Sequence, residues 1–224
     1  GAGAGLFMTS AGGIGFGAAQ NQQAGGVNTL VILTNSSLWA NGTVNIGGQS
    51  STNNNVTLLG SSWNNGNNAF YIGGWGNFGG PTTGGISNSL TLSGTVLSNF
   101  TTIGVGYLAG SYGNSLLLQS GSVISNNGGL YVGYAAGADN NTVIATNDSR
   151  LAMTNGAFFV GNGGSGNTVI LSNSFLKCNS AGSIGNNGSN NTVTLLGGTV
   201  WNNGNVNLIV GTGVGVGNVL TLDS

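Results

Sequence analysis

Few side chains in this 224-residue chain could do acid–base, nucleophilic or metal chemistry, and none stands in the pattern that such chemistry needs. The carboxylates are Asp139, Asp148 and Asp223, the cations are Arg150 and Lys177, and the one thiol is Cys178; His and Glu are absent. General acid–base work wants two carboxylates, or a His, held at a fixed separation. Asp139 and Asp148 are nine residues apart, too close to stack one above the other at the repeat period found below. Asp148 and Arg150 read as a surface ion pair worth less than about 1 kcal/mol. Zinc would need His or several Cys, and the acidic nonapeptide repeat that holds calcium is missing. Gly-rich strings such as 211–217 open no helix and carry no Lys, so they read as turns and not as phosphate loops. Cys178 has no partner for an internal disulfide and reads as a small hydrophobe. The expectation is a protein that is not an enzyme, with no catalytic residue, no metal and no cofactor.

Composition narrows the class further. Charged residues are 2 % of the chain, where a soluble domain ordinarily carries roughly a quarter. Two cations give phosphate backbones almost nothing to bind, so no nucleic-acid partner is expected. Gly, Asn, Ser and Thr fill more than half of the positions, yet 39 % of residues are apolar, unlike a disordered low-complexity chain. No apolar run approaches the ~20 residues that span a bilayer. Residues 1–7 carry no Met and no basic side chain, so they are not a signal peptide as written. The final Leu220-Thr221-Leu222 falls inside a strand-like pattern. The chain reads as a mature polypeptide or a stretch of something longer. Asn-x-Ser/Thr sequons at Asn35, Asn41, Asn55, Asn99, Asn140, Asn147, Asn187 and Asn190 are about as many as this composition scatters by chance.

Internal repetition decides the architecture. A triplet with an apolar residue at each end begins at Val31, Val56, Leu90, Leu116, Val143, Val169, Val193 and Leu220, at spacings of 25, 34, 26, 27, 26, 24 and 27. A second triplet, closed by glycine, keeps the same period: Ile14 to Gly17, Val44 to Gly47, Phe70 to Gly73, Ile103 to Gly106, Leu130 to Gly133, Phe158 to Gly161, Gly182 to Gly185 and Leu208 to Gly211. Alternation within each triplet means strand, and the dominant residue types disfavour helix interiors. A third apolar patch lies between the two, as in Thr95-Val96-Leu97. Three short strands in ~27 residues predict an all-β, right-handed parallel β-helix (a β-solenoid) of about eight coils, in a single domain over residues 1–224. The inward stacks would be Val31, Leu33 and their counterparts, and Ile103, Val105 and theirs.

Asn54, Asn88, Asn114, Asn141, Asn167, Asn191 and Asn218 each stand two positions before the first triplet. In stacked coils these amides would form an axial ladder of hydrogen bonds, at a corner whose left-handed backbone suits Asn. Asn28 stands three before Val31, which suggests one inserted residue there. The long 34-residue unit implies a loop protruding over residues 73–89, with Trp75, Phe78 and the sole proline, Pro81. Its aromatics would either cover the neighbouring coil or touch a partner or sugar. Trp39, Trp63 and Trp201 share one repeat position, with Leu97, Ile124, Met153 and Lys177 as equivalents, so this position is either inward packing or an outward apolar stripe. The outward middles of the first triplet (Ile32, Thr57, Thr91, Leu117, Ile144, Ile170, Thr194 and Thr221) allow ordinary packing, lateral assembly or a ligand face.

Units such as Asn141-Thr142-Val143, Leu130-Tyr131-Val132-Gly133-Tyr134 and residues 197–204 resemble the Gly/Asn/Thr-rich repeats of autotransporter passenger domains and related giant bacterial surface adhesins. The resemblance spans essentially the whole chain and implies a secreted, cell-surface rod used in adhesion or as a stalk; no membrane barrel or secretion signal accompanies it. The function expected is therefore an extracellular structural protein, a stalk or a self-assembling filament subunit. Its partners would be further copies, stacked head to tail or side by side, or its own continuing chain. Neither end shows the polar cap that isolated solenoids need. The alternative is an adhesin module that binds a carbohydrate or cell-surface receptor through Trp75, Phe78, Trp39, Trp63 or Trp201. A polysaccharide-degrading β-helix and an ice-binding Thr face are the remaining, weaker readings.

Overall fold

β-Branched and leucine residues at alternate positions, with Gly and Asn at each break, give strands too short to stand alone that must bury one face against the next coil. The computed structural model describes residues 4–7, 14–17, 26–48, 50–74 and 83–223. Among these every regular element is a strand, and every strand pair is parallel. The chain winds as a β-solenoid with three walls.

The first wall is an eight-stranded sheet of β3 (Leu30–Thr34), β6 (Asn55–Leu59), β8 (Ser89–Ser93), β10 (Ser115–Gln119), β13 (Thr142–Ala145), β16 (Thr168–Ser172), β19 (Thr192–Leu196) and β22 (Val219–Leu222), stacked in sequence order. The second wall holds β1 (Gly5–Phe7), β4 (Ser37–Trp39), the starts of β7 (Ser62–Ile72) and β9 (Val96–Val105), then β11 (Val123–Asn126), β14 (Arg150–Met153), β17 (Phe175–Cys178) and β20 (Val200–Asn202). The third holds β2 (Ile14–Phe16), β5 (Val44–Ile46), the ends of β7 and β9, then β12 (Gly129–Val132), β15 (Phe158–Val160), β18 (Gly182–Asn186) and β21 (Leu208–Thr212). Two coils depart from three separate strands: β7 and β9 run unbroken around the corner from the second wall to the third and join the two into one sheet.

Each wall alternates inward and outward. In β6, β8, β10, β16 and β19 the second and fourth residues are buried and the others half-exposed. The interior is one continuous cluster, with Leu58, Leu92, Leu118, Ala145 and Leu171 in one file and Ile46, Ile72, Val105, Val132, Val160 and Ile184 in another. Burial of such side chains stabilises by roughly 25 cal/mol per Å² of apolar surface removed from water.

Three details correct the sequence reading. No residue is inserted at Asn28: Leu30 pairs with Asn55 and Val31 with Val56, so Thr29 occupies the rung that Asn54 holds one coil on. The Trp column is also different. Leu38 pairs with Trp63 and Trp39 with Asn64, so Trp39 points outward while Leu38 and Ala40 point in. Likewise Met153 pairs with Cys178, and Lys177 lies between Ala152 and Asn202 on the outer surface. The inward column is therefore Leu38, Trp63, Leu97, Ile124, Leu151, Leu176 and Trp201. Finally, the described ends of the expected 73–89 loop belong to the coil itself. Gly85 donates to the Gly73 carbonyl at 3.0 Å, and Ile86 bridges Thr52 on one side and Tyr112 on the other. Trp75, Phe78 and Pro81 lie outside the described residues.

Candidate functional site

The corner between the third wall and the first is built by a left-handed residue followed by a buried asparagine. Asn53, Ser87, Gly113, Asn140, Gly166, Asn190 and Gly217 all have φ between 55° and 68°, a region that Asn and Gly enter at least cost. The next residue turns its amide into the rod, where Asn54, Asn88, Asn114, Asn141, Asn167 and Asn191 have no exposed surface. From Asn88 onward each Oδ1 accepts two hydrogen bonds from the preceding rung. The Asn114 N–H and Nδ2 donate to Asn141 Oδ1 at 3.1 and 3.0 Å. Those of Asn141 donate to Asn167 at 2.9 and 3.0 Å, and those of Asn167 to Asn191 at 3.0 and 3.0 Å. The same pair of bonds links Asn54 to Asn88, Asn88 to Asn114 and Asn191 to Asn218. At the first rung the Thr29 N–H donates to Asn54 Oδ1 at 3.1 Å. The glycine that closes a third-wall triplet, from Gly17 to Gly185, makes room for the amide one coil on: at Gly133 (φ 65°) a Cβ would collide with the side chain of Asn167.

A second ladder, invisible in the sequence reading, runs up the corner between the first wall and the second. The Ser36 N–H donates to Ser61 Oγ at 3.1 Å, Ser61 N–H to Thr95 Oγ1 at 3.3 Å, and Thr95 N–H to Ser122 Oγ at 3.2 Å. The hydroxyls themselves donate to carbonyls, as Ser122 does to Gln119 at 2.7 Å and Ser149 to Thr146 at 2.6 Å. Ser149 and Ser174 continue the buried column. Its signal was a Ser or Thr just before each second-wall strand, hidden by how common those residues are.

Aromatic rings divide between inside and outside. Inside, Trp63 stands edge-on to Phe16 (6.0 Å) and Phe70 (5.3 Å), Phe70 to Phe100 (5.4 Å), and Trp201 to Phe158 (5.3 Å). Trp63 has no exposed surface, so it cannot touch a receptor, and Trp201 faces inward as well. Of the three tryptophans expected to share one repeat position, inward or outward, Trp39 alone points outward. Outside, the third wall carries a cluster that the sequence reading missed. Tyr71, Gly104, Tyr131 and Phe159 form one outward column. Tyr107 folds back over Gly104, where a Cβ would lie 2.7 Å from the Tyr71 ring and 2.9 Å from Tyr107 Cβ. Tyr134 takes the same place one coil on and stacks on Tyr107 at 4.8 Å with 6° between the planes. Tyr71–Tyr107 (5.1 Å), Tyr131–Tyr134 (5.0 Å), Tyr107–Tyr131 (5.7 Å) and Tyr131–Phe159 (5.5 Å) complete a contiguous patch. Burial, and then the neighbouring phenols, push the Tyr71, Tyr107 and Tyr131 hydroxyls above the usual tyrosine range.

The residues that could do chemistry are dispersed. Asp139 accepts from the Ser165 N–H at 2.7 Å, and Asp148 from Asn173 Nδ2 at 2.9 Å. The partner that Arg150 takes is not the expected Asp148 but Phe175, whose ring centroid lies 4.2 Å beneath the guanidinium, a cation–π contact. Cys178 is buried in the interior, and burial pushes its thiol up to about 12, so little reactive thiolate forms near neutrality. Among the described residues no three His, Cys, Asp or Glu side chains gather as a metal site would require. No family model matches the chain, and no curated protein or solved structure matches it either.

Proposed function

We propose that this protein is a structural rod of the cell exterior, the stalk of a bacterial surface adhesin or the subunit of a self-assembling fibre, and not an enzyme. The observation that carries this reading is the axial asparagine ladder from Asn54 to Asn218. Fully buried amides join coil to coil along the axis, which is what an element that carries tension requires. A wall with five charged residues in 224 favours close approach between rods. Because each coil is a near-translation of the last, another coil, from the same polypeptide or from a second copy, would pair with the free edges of β20, β21 and β22 in the same register. The test is the denatured mass of native material, taken with negative-stain electron microscopy. Filaments from a 22.0 kDa chain would mean stacked subunits, and single rods from a much larger chain would mean a stalk. Globular particles at either mass would overturn the proposal.

A second reading, an adhesin module that binds a glycan or a surface receptor, is favoured by the half-buried rings of Tyr107, Tyr131, Tyr134 and Phe159 on the third wall, since aromatic rings present an apolar body beside a polar tip. Glycan-array silence of the intact protein would remove the carbohydrate form of it.

A further inference from the structure

Four of the chain's five tyrosines meet on one wall. Tyr107 and Tyr134 each follow the glycine that ends a third-wall strand, in the segments Gly106-Tyr107-Leu108-Ala109-Gly110 and Gly133-Tyr134-Ala135-Ala136-Gly137. The fold puts these segments on adjacent coils, because β9 pairs with β12 in register. Their rings are half-buried, so an oxidant reaches them, and they lie parallel at 4.8 Å. The sulfur groups that would compete for the oxidant, Met153 and Cys178, are sealed in the interior.

We propose that Tyr107 and Tyr134 form an oxidative cross-linking site, where a one-electron oxidant joins the two phenols into a dityrosine that clamps one coil to the next. With an oxidant of the haem-peroxidase class, one hydrogen peroxide is reduced to two waters while each phenol gives up one electron and one proton. The two phenoxyl radicals couple through a ring carbon ortho to each oxygen, forming one carbon–carbon bond. The two hydrogens displaced from those carbons return to the phenolic oxygens, so the product is lighter by two hydrogens and keeps both hydroxyls. Holding the rings in contact makes the coupling intramolecular, which favours it over reaction between molecules. The half-exposed rings slide and tilt out of the parallel stack as the bond forms, so that it comes to lie in the plane of both rings. A bond at this place ties two adjacent coils together in the turns that lead from the third wall to the asparagine corner, and the site stands whether the rod is a stalk, a fibre subunit or neither.

The experiment treats dilute intact protein with a haem peroxidase and one equivalent of hydrogen peroxide. Dityrosine fluorescence is followed, and an elastase digest is mapped by mass spectrometry. The expected product is a monomer whose linked peptides join Tyr107 to Tyr134, lighter by two hydrogens, with a raised melting temperature. Tyr134→Phe keeps the stacked ring but cannot form a phenoxyl, so it should lose the linked peptide while its untreated melting temperature stays that of the wild type. If that variant folds poorly, Tyr107→Phe gives the same reading. Tyr112→Phe, at a tyrosine outside the cluster and 51 % exposed, should keep the link. Coupling between Tyr131 and Tyr134 in place of this pair, an intramolecular link that survives Tyr134→Phe, or coupling only between molecules through Tyr112 would each overturn the assignment.

Discussion

The two polar corners of the rod face the same task, passing a hydrogen bond from each coil to the next, and they solve it unequally. At the asparagine corner each rung from Asn54 to Asn191 makes two bonds to the next Oδ1, and inside the ladder the amide that accepts also donates onward. At the hydroxyl corner a rung makes one bond, from a backbone N–H to an Oγ, and the hydroxyl's single proton goes to a carbonyl. An amide carries a donor and an acceptor at opposite ends, so it relays along the axis; a hydroxyl has one hydrogen to give and closes a local turn with it. The column of hydroxyls even leaves the Ser174 Oγ without a partner. The asparagine corner should therefore behave as the molecule's spine and the hydroxyl corner as a seam.

The largest effect expected is at the spine. Asn141→Ala removes the acceptor for both Asn114 donors in a fully buried setting and should cost about 3 kcal/mol; an unchanged melting temperature would break the distinction between the corners. Asn141→Asp sharpens it through pH. A carboxylate there accepts from Asn114 but sets oxygen against Asn167 Oδ1, while burial raises its pKa. Protonation restores a donor. This group's folded value lies above its unfolded one, so its stabilising contribution is full below about pH 4 and disappears as pH rises through the folded value. Melts of the variant should rise on acidification relative to the wild type, and a variant insensitive to pH would remove the relay argument. Ser122→Ala strands one buried N–H, that of Thr95, and should cost about 1 kcal/mol by chemical denaturation; a loss matching Asn141→Ala would erase the comparison.

Smaller effects belong to the third wall and the interior. Tyr71, Tyr107 and Tyr131 hold their protons above the pH at which the unfolded chain releases them. Stability should be full below about pH 10 and fall as pH rises further, less steeply in Tyr131→Phe; a flat alkaline melting profile would contradict this. Cys178 should resist a thiol reagent at neutral pH until the rod unfolds, and rapid labelling of the native protein would contradict its burial.

The coil period was legible because strand alternation and the glycine closure recur together, and the spine because Asn keeps a fixed offset from Val56, Leu90, Leu116 and their counterparts. The tryptophans misled because they were aligned on the asparagine two residues later. Pairing follows the inward alternation instead, which matches Leu38 with Trp63 and turns Trp39 outward. The tyrosine patch escaped because its members come from two places in the repeat, the strands for Tyr71 and Tyr131 and the following turns for Tyr107 and Tyr134. Only pairing of β7, β9 and β12 brings them together.

The amide-to-amide bonds of the spine all run the same way: from Asn54 to Asn191 each Nδ2 donates to the Oδ1 of the next higher-numbered rung. Their dipoles add as peptide dipoles do in a helix, and a chain of such bonds polarises its members further. A protein with a net charge of only −1 thus has a partly negative pole towards Asn54 and a partly positive one towards Asn218. Rods joined through this spine would share one polarity along their length, and suspended rods would turn to align with an applied electric field.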